Sequence, residues 1–151
     1  MTKVEREIVI NAPTKKVWAF VSDADNLLDL VPGPLKPAIR MVKHFTTPKQ
    51  RARFTWGINF QGFEFNIDGE IAAWQPEKGV TYRSVTEPRV QVSFVLAPSK
   101  GGTRLYGMAD YDLPFELIGG MLGIPNLEQE AEKSIYAGFD TIRAKLEVPA
   151  S

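Results

Sequence analysis

Apolar and polar residues alternate from Arg53 to Ile67, RFTWGINFQGFEFNI, and the phase of the alternation changes once. Phe54, Trp56, Ile58 and Phe60 hold even positions, whereas Phe63, Phe65 and Ile67 hold odd ones, so the parity flips across Gln61-Gly62. A two-residue hairpin loop does this, because it pairs Phe60 with Phe63 and keeps both on one face. The register then sets Ile58 opposite Phe65, Trp56 opposite Ile67 and Phe54 opposite Gly69. On the other face Asn59 meets Glu64, Gly57 meets Asn66, Thr55 meets Asp68, and Arg53 meets Glu70 as an opposite-charge pair. Burying one large ring contributes about 2 to 3 kcal/mol, so the apolar face needs a cover.

The rest of the chain supplies one. Lys3–Asn11 reads as a strand, Ala12-Pro13 opens a short helix with Val17, Phe20 and Val21 on its apolar face, and Asp23 can cap a second short helix that runs through Val31. The prolines of VPGPLKP force an irregular connection. Strands are predicted over Ala38–Thr46, Arg51–Phe60, Gly62–Trp74, Gly79–Thr86, Arg89–Ala97 and Thr103–Leu113, separated by turn signals in the spacing of an antiparallel meander. The longest helix comes last. Asn126 with Gln129 resembles a capping box, Glu128 and Glu130 suit the positive end of the helix, and Arg143 and Lys145 suit the negative end. Leu127, Ala131, Ile135, Gly138, Ile142 and Leu146 form a stripe about 30 Å long at 1.5 Å per residue. A curved antiparallel sheet with its apolar face toward this helix accounts for both patterns. The fold class is therefore α+β: seven strands wrapped around a long C-terminal helix, with two short helices after the first strand.

Composition narrows the function. The 151 residues are 44% apolar and 24% charged, which fits one domain over residues 1–151. Eighteen basic residues balance eighteen acidic ones without a clustered Lys/Arg stripe, so the electrostatic footprint of nucleic-acid binding is missing. No stretch approaches the ~20 apolar residues of a membrane span, so stable membrane insertion is not expected. The start MTKVEREIVI carries charges where a signal peptide needs an apolar run, and the expectation is a cytoplasmic protein. Absence of cysteine excludes disulfides within the chain and thiolate chemistry. A monomer and a homodimer both remain open.

The segments IVINAPTKKVWAFVSDADNL, QPEKGVTYRS and GGTRLYGMADYDLP, with the order of elements, resemble the START and birch-pollen-allergen-like (SRPBCC) superfamily of helix-grip proteins. The A-P-x-x-x-V-W segment at Ala12–Trp18 and the G-G-T-R run at Gly101–Arg104 resemble its bacterial and archaeal branch. That branch includes polyketide cyclase/dehydrase-like, lipid-transport and coenzyme-Q-binding proteins and the group named for the G-type subunit of carbon monoxide dehydrogenase. LVPG at Leu30–Gly33 and FQGFEFNIDGEI at Phe60–Ile71 lean toward the last of these. The resemblance covers nearly the whole chain. It implies the fold strongly and the function only as a class, since the superfamily varies its ligand.

Parity places Val90, Val92, Phe94 and Leu96 on the inner face with Leu105, Gly107, Ala109 and Tyr111, joined by Val80, Tyr82 and Ser84. Gly69, Gly107, Ala109 and Gly138 put small residues among large ones, and either leave open volume or let the helix sit closer. The resemblance implies the former, a cavity for an apolar or amphipathic small molecule such as a lipid, isoprenoid quinone or polyketide. The expected lining is Trp56, Ile58, Phe65, Ile67, Tyr82 and Phe94, with Ile135 and Phe139 from the helix and the Tyr82 hydroxyl free to orient a polar group. LPFELIGGMLGIP, Leu113–Pro125, forms either a flexible gate with Leu117, Met121 and Leu122 touching the ligand, or a buried short helix. The proline-rich loop from Val31 to Pro37 would form the opposite rim.

No catalytic constellation stands out, and neither a cofactor nor a metal is expected. His44, the single histidine, falls by parity on the solvated face with Arg40. Glu64, Asp68 and Glu70 alternate along a solvated strand face, and Asp23, Asp25 and Asp29 read as helix-capping and surface charges. P-loop, G-x-G-x-x-G and nucleophile-elbow patterns are missing. Arg6 and Lys43 are the only ionisable residues that parity turns inward, and both are expected near solvent at strand ends. Two alternatives come from the resemblance: a cyclase or aromatase that folds a reactive chain inside the cavity, and an accessory or assembly protein with an exposed apolar patch.

Overall fold

The computed structural model describes residues 2–30, 39–43, 51–60, 63–113 and 115–147, without the side chains of 29, 41–43, 60, 63, 65, 118, 121 and 122. The proline-rich loop, His44 and the Gln61-Gly62 turn lie outside the described residues, as do the side chains of Asp29 and Lys43. Seven antiparallel strands run in the order β1-β7-β6-β5-β4-β3-β2. They are β1 Thr2–Ile10, β2 Ile39–Lys43, β3 Arg53–Phe60, β4 Phe63–Gln75, β5 Gly79–Ser84, β6 Arg89–Ser99 and β7 Gly102–Asp112. Strands β2 to β7 form a meander, and β1 closes onto β7 so that the chain's first and last strands are neighbours. Helices α1 (Thr14–Val21), α2 (Phe115–Leu122) and α3 (Leu127–Leu146) and a 3₁₀ helix at Ala24–Leu30 complete the fold. No helix among the described residues is long and apolar enough to cross a membrane.

The hairpin register is the one that parity dictates, from Arg53 opposite Glu70 to Phe60 opposite Phe63. Two irregularities have no mark in the alternation. Pairing shifts between Met41 and Lys43 and again between Ile71 and Ala73, and such bulges bend and twist a strand, curling the sheet. After the second shift Trp74 pairs with Val80 and meets Trp18 of α1 edge to face at 4.8 Å.

Helix α3 lies along β1. Nine strand residues at about 3.3 Å and twenty helix residues at about 1.5 Å both span roughly 30 Å. Ties run the whole length: Thr2 Oγ1 donates to Glu128, Arg6 Nη1 donates to the Tyr136 carbonyl at 2.7 Å, and the Asn11 amide donates to Glu147 at 2.7 Å. Arg6 also pairs with Asp140 at 3.0 Å and stacks its guanidinium 4.3 Å from the Tyr136 ring centre. It is thus a mid-strand clamp on the helix and not a strand-end residue. Its guanidinium holds the Asp140 carboxyl below the usual carboxylate range.

The capping box at the start of α3 does not form. Asn126 adopts a left-handed backbone, φ 57°, and makes no side-chain cap bond, whereas a capping side chain needs an extended backbone behind it. Asp23 does cap its helix, accepting from the Asp25 amide at 3.0 Å.

The inward-facing glycines are filled rather than empty. A Cβ on Gly107 would lie 2.2 Å from the ring of Phe139, and one on Gly69 would lie 2.6 Å from the ring of Phe54. At Gly107 a ring from α3 is thereby admitted close to the sheet, the closer-packing alternative, whereas at Gly69 the space is taken by Phe54 of the neighbouring strand. Gly107→Ala should therefore lower stability by about 1 to 3 kcal/mol, because Phe139 is 1% exposed and has nowhere to move. Chemical denaturation checks this, and an unchanged midpoint would contradict the contact.

On the outer face Glu70 sits between Arg83 at 2.5 Å and Arg53 at 3.6 Å. The Arg83 hydrogen bond holds its carboxyl below the ordinary range. A carboxylate lowered in this way stabilises the fold above its unfolded pKa, and the contribution is lost as pH falls through the folded value. Glu70→Gln should melt below the parent at neutral pH, with the gap closing in acid. A gap constant across pH would refute this reading.

Candidate functional site

One end of the inner face is packed solid. Ile8, Ile10, Leu96 and Leu105 are buried beneath Val17 and Val21 of α1 and Ile142 and Leu146 of α3. Phe139 joins them from above, its ring 6.4 Å from that of Phe94 in an edge-to-face contact. Thr103, fully buried, donates to the Ala12 carbonyl at 2.8 Å and ties the end of β1 to β7.

Elsewhere the same face opens. Val92 lies between Tyr82 and Ala109 in the ladder, both buried, yet is itself only half-buried. So is Val90 beside Tyr111. Trp56, Ile58 and Ile67 on β3 and β4 are half-buried too, with Trp56 directly opposite Ile67. An inward-facing valine on an interior strand reaches solvent only where the space before it is unfilled. These five residues are the less covered part of the apolar face.

Among the expected lining residues, the structure brings Trp56, Ile58 and Ile67 together at this open region. Phe94 at 3% exposure and Phe139 belong to the packed end, and Ile135 is buried in the core. Leu117 on α2 is 64% exposed. The side chains of Phe65, Met121 and Leu122 lie outside the described residues. Within Leu113–Pro125, residues Phe115–Leu122 form the short helix α2.

Two buried tyrosines divide the polar work. Tyr82, which the sequence offers as a ligand handle, donates its hydroxyl to the Val21 carbonyl at 2.7 Å. It thereby satisfies one of the last carbonyls of α1, which lack partners within the helix. Burial pushes its hydroxyl pKa far upward. Tyr111 is different. It is 4% exposed, meets Phe115 edge to face at 5.6 Å, and its hydroxyl has no hydrogen-bond partner among the described residues. Leaving a buried hydroxyl unpaired costs about 1 to 3 kcal/mol. Burial, reinforced by Glu132 and Glu128, raises its pKa strongly and keeps it a donor. Parity put Tyr111 on the inner face, but its lack of a partner depends on what α2 and α3 bring above it, which no local pattern encodes.

Tyr111 also lines a cleft of about 460 Å³ where the start of β1, the end of β7, α2 and the start of α3 meet. Leu113, Phe115 and Leu117 give it apolar walls, and Asp112, Glu116 and Glu128 give it an acidic border. No group of three potential metal ligands occurs among the described residues.

The architecture recurs in solved structures. The protein DR_A0006 from Deinococcus radiodurans is 16% identical, with 97% of this chain and 98% of that one superposed at a TM-score of 0.67. Ara h 8.0201 is 18% identical over 96% and 97% of the two chains, TM-score 0.59. The Polyketide_cyc-like protein Cgl2372 from Corynebacterium glutamicum is 18% identical over 96% and 88%, TM-score 0.57. At these identities the likeness is one of fold. No protein of curated function matches the chain in sequence. The family described as polyketide cyclase / dehydrase and lipid transport matches residues 1–147, nearly the whole chain, and the protein belongs to that family.

Proposed function

We propose that this protein binds a hydrophobic or amphipathic small molecule, of the size and character of a lipid, isoprenoid quinone or polyketide, in the hollow between its curved sheet and α3. The observation that carries this reading is the half-burial of Val90, Val92, Trp56, Ile58 and Ile67 on a face whose other residues are packed. A ligand that covers these side chains gains about 25 cal/mol for each Å² of apolar surface removed from water. The family's description, which includes lipid transport, supports the same class of ligand.

Tryptophan gives a positional readout. Trp18 and Trp74 meet edge to face at the α1 side, whereas Trp56 stands half-buried on the apolar face of β3. Titration with decylubiquinone, a quinone that quenches indole fluorescence on contact, should give a saturable decrease. In Trp56→Phe the decrease should largely vanish while calorimetry still reports binding. Quenching that persists in Trp56→Phe would place the quinone elsewhere. An absence of saturable binding by both methods would remove the reading.

A further inference from the structure

Among the described residues the hydroxyl of Tyr111 makes no hydrogen bond, and the cleft beside it has an acidic border. The ring stands on the inner face of β7 between Thr2 and Val90, so it belongs both to the wall of the cleft and to the row that borders the hollow. Its hydroxyl is buried and has no partner among the described residues. Around the mouth stand Asp112, Glu116 and Glu128, and the described lining residues include no lysine or arginine. Glu128 is held in place by the hydroxyl of Thr2.

Resting on the ligand-binding reading above, we propose that this corner selects the polar end of the ligand: Tyr111 donates a hydrogen bond to an uncharged oxygen acceptor, a ketone or ester carbonyl, and the acidic border rejects anionic head groups. The ligand class is then a neutral carbonyl-bearing amphiphile and not a fatty-acid anion or an anionic phospholipid. Chemistry supports each half. A buried hydroxyl with no partner gains a full hydrogen bond from an incoming acceptor, since it gives up none within the protein. An anionic head group entering between three carboxylates meets like charge, and none of the described lining residues is a lysine or arginine that would offset it. The raised pKa of Tyr111 keeps its proton in place throughout the physiological range.

Three probes with the same alkyl chain separate the possibilities: methyl decanoate, decanoate and decylamine, each titrated by calorimetry into the full chain and into Tyr111→Phe. The ester should bind saturably and about tenfold more tightly than decanoate. Tyr111→Phe should weaken the ester by about threefold to tenfold, the worth of one hydrogen bond, and leave decanoate unchanged. Its melting temperature should not fall, because the substitution removes an unpaired buried hydroxyl. Equal binding of ester and anion, indifferent to Tyr111→Phe, would overturn the head-group selection while leaving a hydrophobic binding site. Decylamine binding more tightly than the ester, with no effect of Tyr111→Phe, would assign recognition to the acidic border alone and overturn the role of Tyr111. A lowered melting temperature would show the hydroxyl already bonded within the fold and would overturn that role as well. Failure of all three probes would remove this proposal together with the binding function itself.

Discussion

The height of α3 above the sheet is set by one contact, the Phe139 ring lying on Gly107. A glycine at the centre of β7 admits the ring to a depth that any Cβ would forbid. Arg6 fixes the same stretch of helix from the side, through the Tyr136 carbonyl and Asp140, so the helix is held both down and along. The packed end follows from this, because Ile142 and Leu146 are brought to the level of Ile8, Ile10 and Leu105. Away from the anchor, the bulges in β2 and β4 bend the sheet. Val90 and Val92 on β6 and Trp56, Ile58 and Ile67 on β3 and β4 stay half-buried, with the buried Tyr82 and Phe54 between the two groups.

This division gives the molecule a closely packed half and a less covered half. At the packed end Thr103 donates to the Ala12 carbonyl and Tyr82 to the Val21 carbonyl, while the buried Nε of Arg143 finds no partner among the described residues. At the other end Tyr111 stays unmatched beside apolar side chains that water can reach. Both features cost stability, which is the usual mark of a surface arranged for something other than folding.

Much of this was legible in the sequence, and the reasons differ by element. The β3–β4 register followed from parity alone, since a two-residue turn fixes every pair beyond it. The terminal helix followed from its apolar stripe, whose buried members are those the spacing names, with Phe139 added. Bulges escaped because one inserted residue leaves no compositional mark between Ile71 and Ala73. Asn126 escaped because its residue type fits both a cap and a left-handed turn, and the backbone chose the second. The site was half legible. Alternation identified the inner face and so Trp56, Ile58 and Ile67, but could not say which inward residues would be covered. Glycines at 69 and 107 suggested space that rings in fact occupy, and the tyrosine expected to be free, Tyr82, is bonded while Tyr111 is free. Those outcomes turn on contacts between distant segments.

The hollow itself is the central claim, and a substitution that fills it is the most direct measurement. Val92→Phe adds a ring in front of the sheet between Tyr82 and Ala109. With an open space there, the denaturation midpoint should hold or rise while small-molecule binding is lost. A drop of about 1 to 3 kcal/mol, the cost of overpacking an already filled core, would contradict the account.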